Sequence, residues 1–264
     1  MKNMKRILIL SAALAALAAL GAVSASAQTM KLDSDGISFG SASRTDNNVS
    51  VNTALSYKSR CFTVGRGIKS SIPMLELGWN IPSQINYDAY DGMPYGEFFD
   101  VREWKSTQFT INLLQASAFN RARNLGISVA VGIRANNYRL RNSTSLTETD
   151  GLVVPVQLEG RIKKSKFTTA ALHIPVEVSF GNPYRFAFSM GGFVDMTINS
   201  HTKVKYRGGH KDKEHNFPVE FIQAGVTARF SFRNFSIYGN YTPTQLFKTG
   251  RGPEMRIWTI GLGW

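Results

Sequence analysis

Residues 167–199 read "FTTAALHIPVEVSFGNPYRFAFSMGGFVDMTIN". On the first arm Leu172, Ile174, Val176, Val178 and Phe180 alternate with His173, Glu177 and Ser179, with Thr169 further up on the polar side. On the second arm Phe186, Phe188, Met190, Val194, Met196 and Ile198 alternate with Ser189, Gly191, Asp195 and Thr197. Period two marks a strand with two unlike faces. Between the arms, "NPYR" at 182–185 is a tight hairpin turn. The polar faces carry small residues and isolated charges, which suits a cramped interior better than a solvated surface.

The same pattern recurs on both sides of this hairpin. Upstream, "IPMLELGWN" sets Leu75, Leu77 and Trp79 against Glu76, Gly78 and Asn80. "TQFTINLLQASAFN" places Phe109, Ile111, Leu113 and Phe119 on one face. "LGISVAVGIRANNYRL" sets Leu125, Ile127, Val129, Val131 and Ile133 against Gly126, Ser128, Ala130, Gly132 and Arg134. Downstream, "EFIQAGVTARFSF" sets Ile222, Val226, Phe230 and Phe232 against Gln223, Gly225, Thr227 and Arg229. "FSIYGNYT" and "RIWTIGLGW" complete a set of eight strands. "RARN", "NPYR" and the "RN" at 233–234 are short turns. Residues 81–106, 141–166, 208–218 and 250–254 are longer, polar or charged loops. Short turns at one end and long loops at the other predict an all-β fold: an eight-stranded antiparallel up-and-down transmembrane β-barrel with short periplasmic turns and longer extracellular loops.

A soluble sandwich or lipocalin-like barrel shows the same alternation with its faces reversed. The small-residue polar face favours the membrane. So does the gathering of aromatics near strand ends, at Phe119, Tyr138, Phe167, Phe180, Tyr184, Phe186, Phe235, Tyr241, Trp258 and Trp264, as in interfacial girdles. So too does an alternation that runs to the last residue.

Residues 1–27 read as a cleaved signal peptide: a cationic "MKNMKR", an apolar "ILILSAALAALAALGAV" and an Ala25-Ser26-Ala27 exit. No Cys closes the apolar run, so a lipoprotein is not expected. Lys2, Lys5 and Arg6 leave with the peptide, so the mature chain keeps +10 of the formal +13. One cysteine, Cys61, excludes an intramolecular disulfide or a cysteine metal cluster. Beyond the signal no apolar run approaches a membrane helix. Residues 28–70 are rich in Ser, Asn, Asp and Gly, and are expected to be a polar, poorly ordered periplasmic N-terminal segment in which Val49, Val51 and Leu55 hint at one strand or a short hairpin. Residues 71–264 are the outer-membrane barrel.

Four stretches carry a resemblance. "VGIRANNYRL", "DGLVVPVQLEGRIKKSKFTTAALHIPVEVSF", "SHTKVKYRGG" and "YTPTQLFKTGRGPEMRIWTIGLGW" resemble the outer-membrane β-barrel domain proteins of the Gram-negative Bacteroidota, a family distantly including PorT-like secretion proteins. The resemblance covers about residues 71–264. It implies an integral outer-membrane barrel and no particular activity; a secretion role would be analogy from fold alone. The ending Trp258, Ile260, Leu262 and Trp264 also resembles the C-terminal signal read by the barrel assembly machinery.

Strand parity puts Glu76, Arg134, His173, Glu177, Asp195 and Arg229 inside, with Glu76, Glu177 and Arg229 near one level and Arg134, His173 and Asp195 about one-third higher. Charges in a filled eight-stranded lumen must pair. They read as a structural plug, with proton handling or catalysis as the functional alternative. Arg161, Lys163, Lys164, Lys166, Lys203, Lys205 and Arg207 form a basic outer rim, joined by Lys211, Lys213, Lys248 and Arg251, with outer-membrane lipid and lipopolysaccharide as the expected partner. Flexible loops would hold such cations diffusely. The His210-x4-His215 spacing is a weak metal signal, and no cofactor, metal site, catalytic residue or nucleic-acid partner is expected. The expected function is a non-enzymatic membrane anchor or docking protein. A secretion accessory and a lipid-modifying enzyme are the alternatives.

Overall fold

The computed structural model describes residues 70–264 except 121, 123, 142–143, 160–161 and 183–184, together with the upstream strands Gln28–Asp33, Gly36–Ser41, Asn48–Ser50, Tyr57–Lys58 and Phe62–Val64. The expected signal peptide, Cys61, Arg161 and Tyr184 lie outside the described residues.

The chain is all-β, and eight antiparallel strands close into a ring. They are β1 (Leu75–Asn86), β2 (Thr107–Asn120), β3 (Leu125–Arg139), β4 (Ile162–Gly181), β5 (Phe186–Tyr206), β6 (Ile222–Phe232), β7 (Phe235–Thr242) and β8 (Glu254–Gly263). Each pairs with the next in sequence, and β8 pairs back with β1 through Trp258↔Ile81, Ile260↔Trp79 and Leu262↔Leu77. Just past β8, Trp264 exchanges both backbone hydrogen bonds with Leu75, at 3.0 Å each. The short turns fall together at the lower end of the ring. Arg233 enters its two-residue turn at a left-handed φ of 53°, the geometry tight hairpins require.

Alternation decides what faces in. Phe188, Met190, Val194, Ile222, Val226, Phe230, Ile237, Trp258, Ile260 and Trp264 are all exposed on the outer side. Ser, Thr, Asn, Gln and the charged residues between them are buried inside. Glycine makes room where a large inner side chain lies flat. A Cβ at Gly78 would come within 2.7 Å of the Tyr238 Oη, and one at Gly261 within 2.5 Å of its ring.

Four features depart from the sequence reading. First, a bulge between Asn112 and Leu114 reverses parity on β2. Leu113 and Leu114 both point outward, and Phe119 turns inward over Gly126 and is buried. Second, Tyr138 and Phe167 are not girdle residues. They occupy inner positions and are buried.

Third, the long connections are not merely polar. Each sends apolar side chains into the upper mouth: Phe98, Phe99 and Val101; Leu146 and Val153; Phe217 and Val219; Leu246 and Phe247. Phe99 meets Phe247 edge-on at 5.8 Å, and Phe167 meets Phe217 at 5.3 Å. The Tyr90 hydroxyl donates to the Val153 carbonyl. The second connection contains its own hairpin, Thr144–Thr149 with Leu152–Gln157.

Fourth, β4 and β5 run for 20 and 21 residues, well past the expected strand ends. Lys211–His215 adds a further strand to the upper part of β5. Upstream, where a poorly ordered segment with one strand or a short hairpin was expected, Gln28–Asp33, Gly36–Ser41 and Asn48–Ser50 form a three-stranded antiparallel sheet; Val51 and Leu55 lie outside the described residues. Phe62–Val64 pairs with Ala118–Asn120 of β2.

Candidate functional site

The interior is built in layers. In the lowest, β6 points Arg229 at β4 and β1. Its Nε donates to both oxygens of Glu177 at 3.1 and 3.2 Å, and its Nη2 donates to Glu76 Oε1 at 2.6 Å. Its Nη1 donates to Ser236 Oγ at 3.3 Å. The guanidinium lies 5.0 Å from the centre of the Tyr238 ring. Planarity lets one Arg hold two carboxylates and an aromatic face at once, which a Lys cannot do.

A second group joins β3, β4 and β5. Arg134 donates from Nη1 to Asp195 Oδ2 at 2.9 Å and from Nε to Thr110 Oγ1 at 3.2 Å. Its Nη2 lies 2.8 Å from His173 Nε2. His173 Nδ1 lies 2.6 Å from Asp195 Oδ1. The register explains the meeting, since His173 sits directly opposite Asp195 and Arg134 beside Ala171. Arg134 Nη2 also lies 4.0 Å from Glu76 Oε2, so the two groups touch. All six residues are buried.

The tautomer follows from donor arithmetic. A guanidinium has no acceptor, so His173 Nε2 accepts from Arg134. Nδ1 therefore carries the proton and donates to Asp195. This Asp–His pair has the form of the orienting half of an acid–base relay. Its free lone pair, however, is already taken by Arg134, so it cannot accept a substrate proton without breaking that bond. The arrangement holds the wall together and is poorly placed for proton transfer.

Above the ions lies a neutral layer. Thr259 Oγ1 donates to Asn80 Oδ1 at 2.8 Å. Asn80 Nδ2 and Gln108 Nε2 donate to Asn136 Oδ1 at 3.2 and 3.1 Å. Tyr238 Oη donates to Gln108 Oε1 at 3.3 Å. Sequence reasoning did not single out Gln108, Asn136 or Thr259, although parity had them facing inward.

The described lysines of the expected basic rim stand on strands and not on loops. Lys163, Lys164 and Lys166 stand on β4, Lys203 and Lys205 on β5, and Lys211 and Lys213 on the added strand. Six of these lysines, all but Lys213, line a single cleft of about 540 Å³ together with Arg139 of β3. Burial and the neighbouring cations Lys164, Lys203 and Lys213 push the Lys166 ammonium below its ordinary pKa. Arg207 stands just past β5, exposed and outside this cleft. Arg139 was missed in the sequence, although it shares the face of Ile133.

The rings of His201 and His215 lie 5.5 Å apart, tilted to one another, beside these lysines, and His210 Nε2 lies 2.7 Å from Asp212 Oδ1 in the open. Among the described residues no three His, Cys, Asp or Glu side chains are grouped to hold a metal ion. No described helix is long and apolar enough to cross a membrane, which bears only on helices. No protein-family model matches the chain, and neither does any curated protein.

Proposed function

We propose that this chain is an integral outer-membrane β-barrel protein of a Gram-negative, Bacteroidota-type envelope. It is exported by a cleaved signal peptide and works without enzymatic chemistry, as a membrane anchor or docking protein. The observation that carries this reading is the inversion of the ring. Large apolar side chains are exposed all round the outside, while ions and amides are buried within. In water that outer face would be a contiguous apolar patch far larger than monomeric proteins tolerate. In lipid it is the expected surface, and a closed antiparallel ring leaves no strand edge unpaired in the bilayer. The four long connections then face outward from the cell, and the turns and residues 28–70 face the periplasm.

The anchor reading rests on the interior. The ionic and amide layers fill the ring, and the apolar mouth closes it. Among the described residues the six ionisable side chains of the interior are all engaged with one another, which supports a filled ring with no free acid–base pair. The test is to purify the mature protein from membranes and run it in SDS with and without boiling. The unboiled protein should migrate as a compact species and the boiled protein more slowly. In planar bilayers it should give negligible conductance. An unshifted band together with partition into the soluble fraction would rule out the barrel. Large, stable single-channel steps would rule out the filled interior.

A further inference from the structure

Five pairs of cations face one another across strands on the outer wall. Lys166 is opposite Arg139 on one side and Lys203 on the other. Lys164 is opposite Lys205. On the added strand, Lys213 is opposite Lys203 and Lys211 opposite Lys205. Like charges directly opposite destabilise a sheet. The acids that could relieve them are turned away. Asp212 is opposite Val204 and Glu214 opposite Thr202, and those two partners are the buried, inward-facing positions of β5. Asp212 is taken up by His210. Glu214 is occupied by the Thr147 hydroxyl and the Glu148 N–H of the loop hairpin. Among the described residues none of these cations forms a salt bridge. A wall that aligns repelling cations in register, on strands and around one cleft, is arranged for an anion from outside the chain.

The position of the cleft selects that anion. On the same outer face of the same strands, just below, stand Ile133, Leu172, Val194 and Ile198. Ile198 is five residues below Lys203 and Ile133 six below Arg139. That is roughly 16–20 Å along a strand. A soluble polyanion has no use for this apolar wall. A lipid uses both parts, with its chains against the belt and its phosphates among the lysines.

We propose that the outer wall of β3–β5 is a binding site for a membrane lipid whose headgroup carries two or more phosphate groups. The site rests on the barrel reading above and deepens it. Lys166 and Lys203 sit at its centre, and Lys164, Lys205, Lys211 and Arg139 surround them. Arg139 is held in place by donating from Nη2 to the Lys163 carbonyl at 2.9 Å, and Lys166 by donating from Nζ to Asn137 Oδ1.

The experiment titrates the detergent-purified mature protein by native mass spectrometry. The titrants are a diphosphorylated glucosamine glycolipid (lipid A), its monophosphorylated form, phosphatidylcholine, and inorganic pyrophosphate as a soluble anion. The expected order is diphosphorylated above monophosphorylated glycolipid, with phosphatidylcholine and pyrophosphate far weaker. Removing one cation should weaken binding about five-fold, so the Lys166→Gln/Lys203→Gln double variant should lose roughly 25-fold. Its salt dependence should also be shallower. Lys105→Gln/Lys248→Gln, which removes two exposed cations from other connections, should bind as the wild type does.

Equal glycolipid binding by the wild type and the Lys166→Gln/Lys203→Gln variant would overturn the site. Pyrophosphate binding as tightly as the glycolipid would overturn the lipid as its occupant. Each sample is also checked for the boiled-versus-unboiled gel shift. A normal shift with unchanged lipid binding rejects this site alone. A wild type with no shift rejects the barrel, and the lipid site with it.

Discussion

Arg229 and Arg134 each organise a layer of the interior, and each is exposed to a different loss. Replacing Arg229 with Met would leave Glu76 and Glu177 buried without a counter-charge. Replacing Arg134 with Met would leave Asp195 with only His173. Breaking a buried ion pair from one side costs about 3–5 kcal/mol. Each single variant should therefore lower the unfolding midpoint in denaturant markedly. Arg134→Met combined with Asp195→Asn should recover part of that loss. Strict additivity of the two single effects would show the pair to be uncoupled. The six ionic residues could be located in the sequence because isolated charges on a strand of fixed parity can point only one way. Phe119 could not, because the extra residue at Leu113–Leu114 that turns it inward leaves no mark in the alternation. Tyr138 and Phe167 failed for a related reason. An aromatic near a strand end is equally consistent with a lipid girdle and with a packed mouth, and the loops that make the mouth carry no periodicity.

Among the elements, β8 carries the closure. Its outer face presents Trp258, Ile260, Leu262 and Trp264, and Tyr241 of β7 packs on Trp258 at 4.3 Å. Removing Trp264 takes away one exposed ring and two backbone bonds to Leu75, worth about 1 kcal/mol each. The fraction that folds should thus remain close to wild type in stability. Yield in the outer-membrane fraction should fall steeply, because the terminal strand must be captured before the ring can close. Wild-type yield after deletion of Trp264 would show that the residue has no part in assembly. The ends of β4 and β5 were harder to read. At Ile198, just below the Ala170–Asn199 pair, the alternation passes through a bulge, and above that pair it continues in Lys, Thr and Val. Apolar periodicity ends at that point, and so the rim lysines carry a loop-like sequence although they stand on a sheet.

For the whole molecule, the ring reverses the usual arrangement of a soluble protein, with apolar groups outside and polar groups within. Strand number, connection order and the two faces were legible because they follow from a period of two and from connection length. The capped mouth and the single basic cleft were not, since both arise from contacts between residues far apart in sequence. The central claim is that the outer face meets lipid, and tryptophan fluorescence tests it most directly. Trp258 and Trp264 stand exposed on the outer belt, while Trp104 stands exposed in the first long connection. Single-tryptophan variants retaining each of these would be reconstituted into vesicles with brominated acyl chains and, separately, exposed to aqueous acrylamide. The account predicts strong bromine quenching and weak acrylamide quenching for Trp258 and Trp264, and the reverse for Trp104. Acrylamide quenching of Trp258 and Trp264 as strong as that of Trp104, with no effect of the brominated lipid, would contradict it.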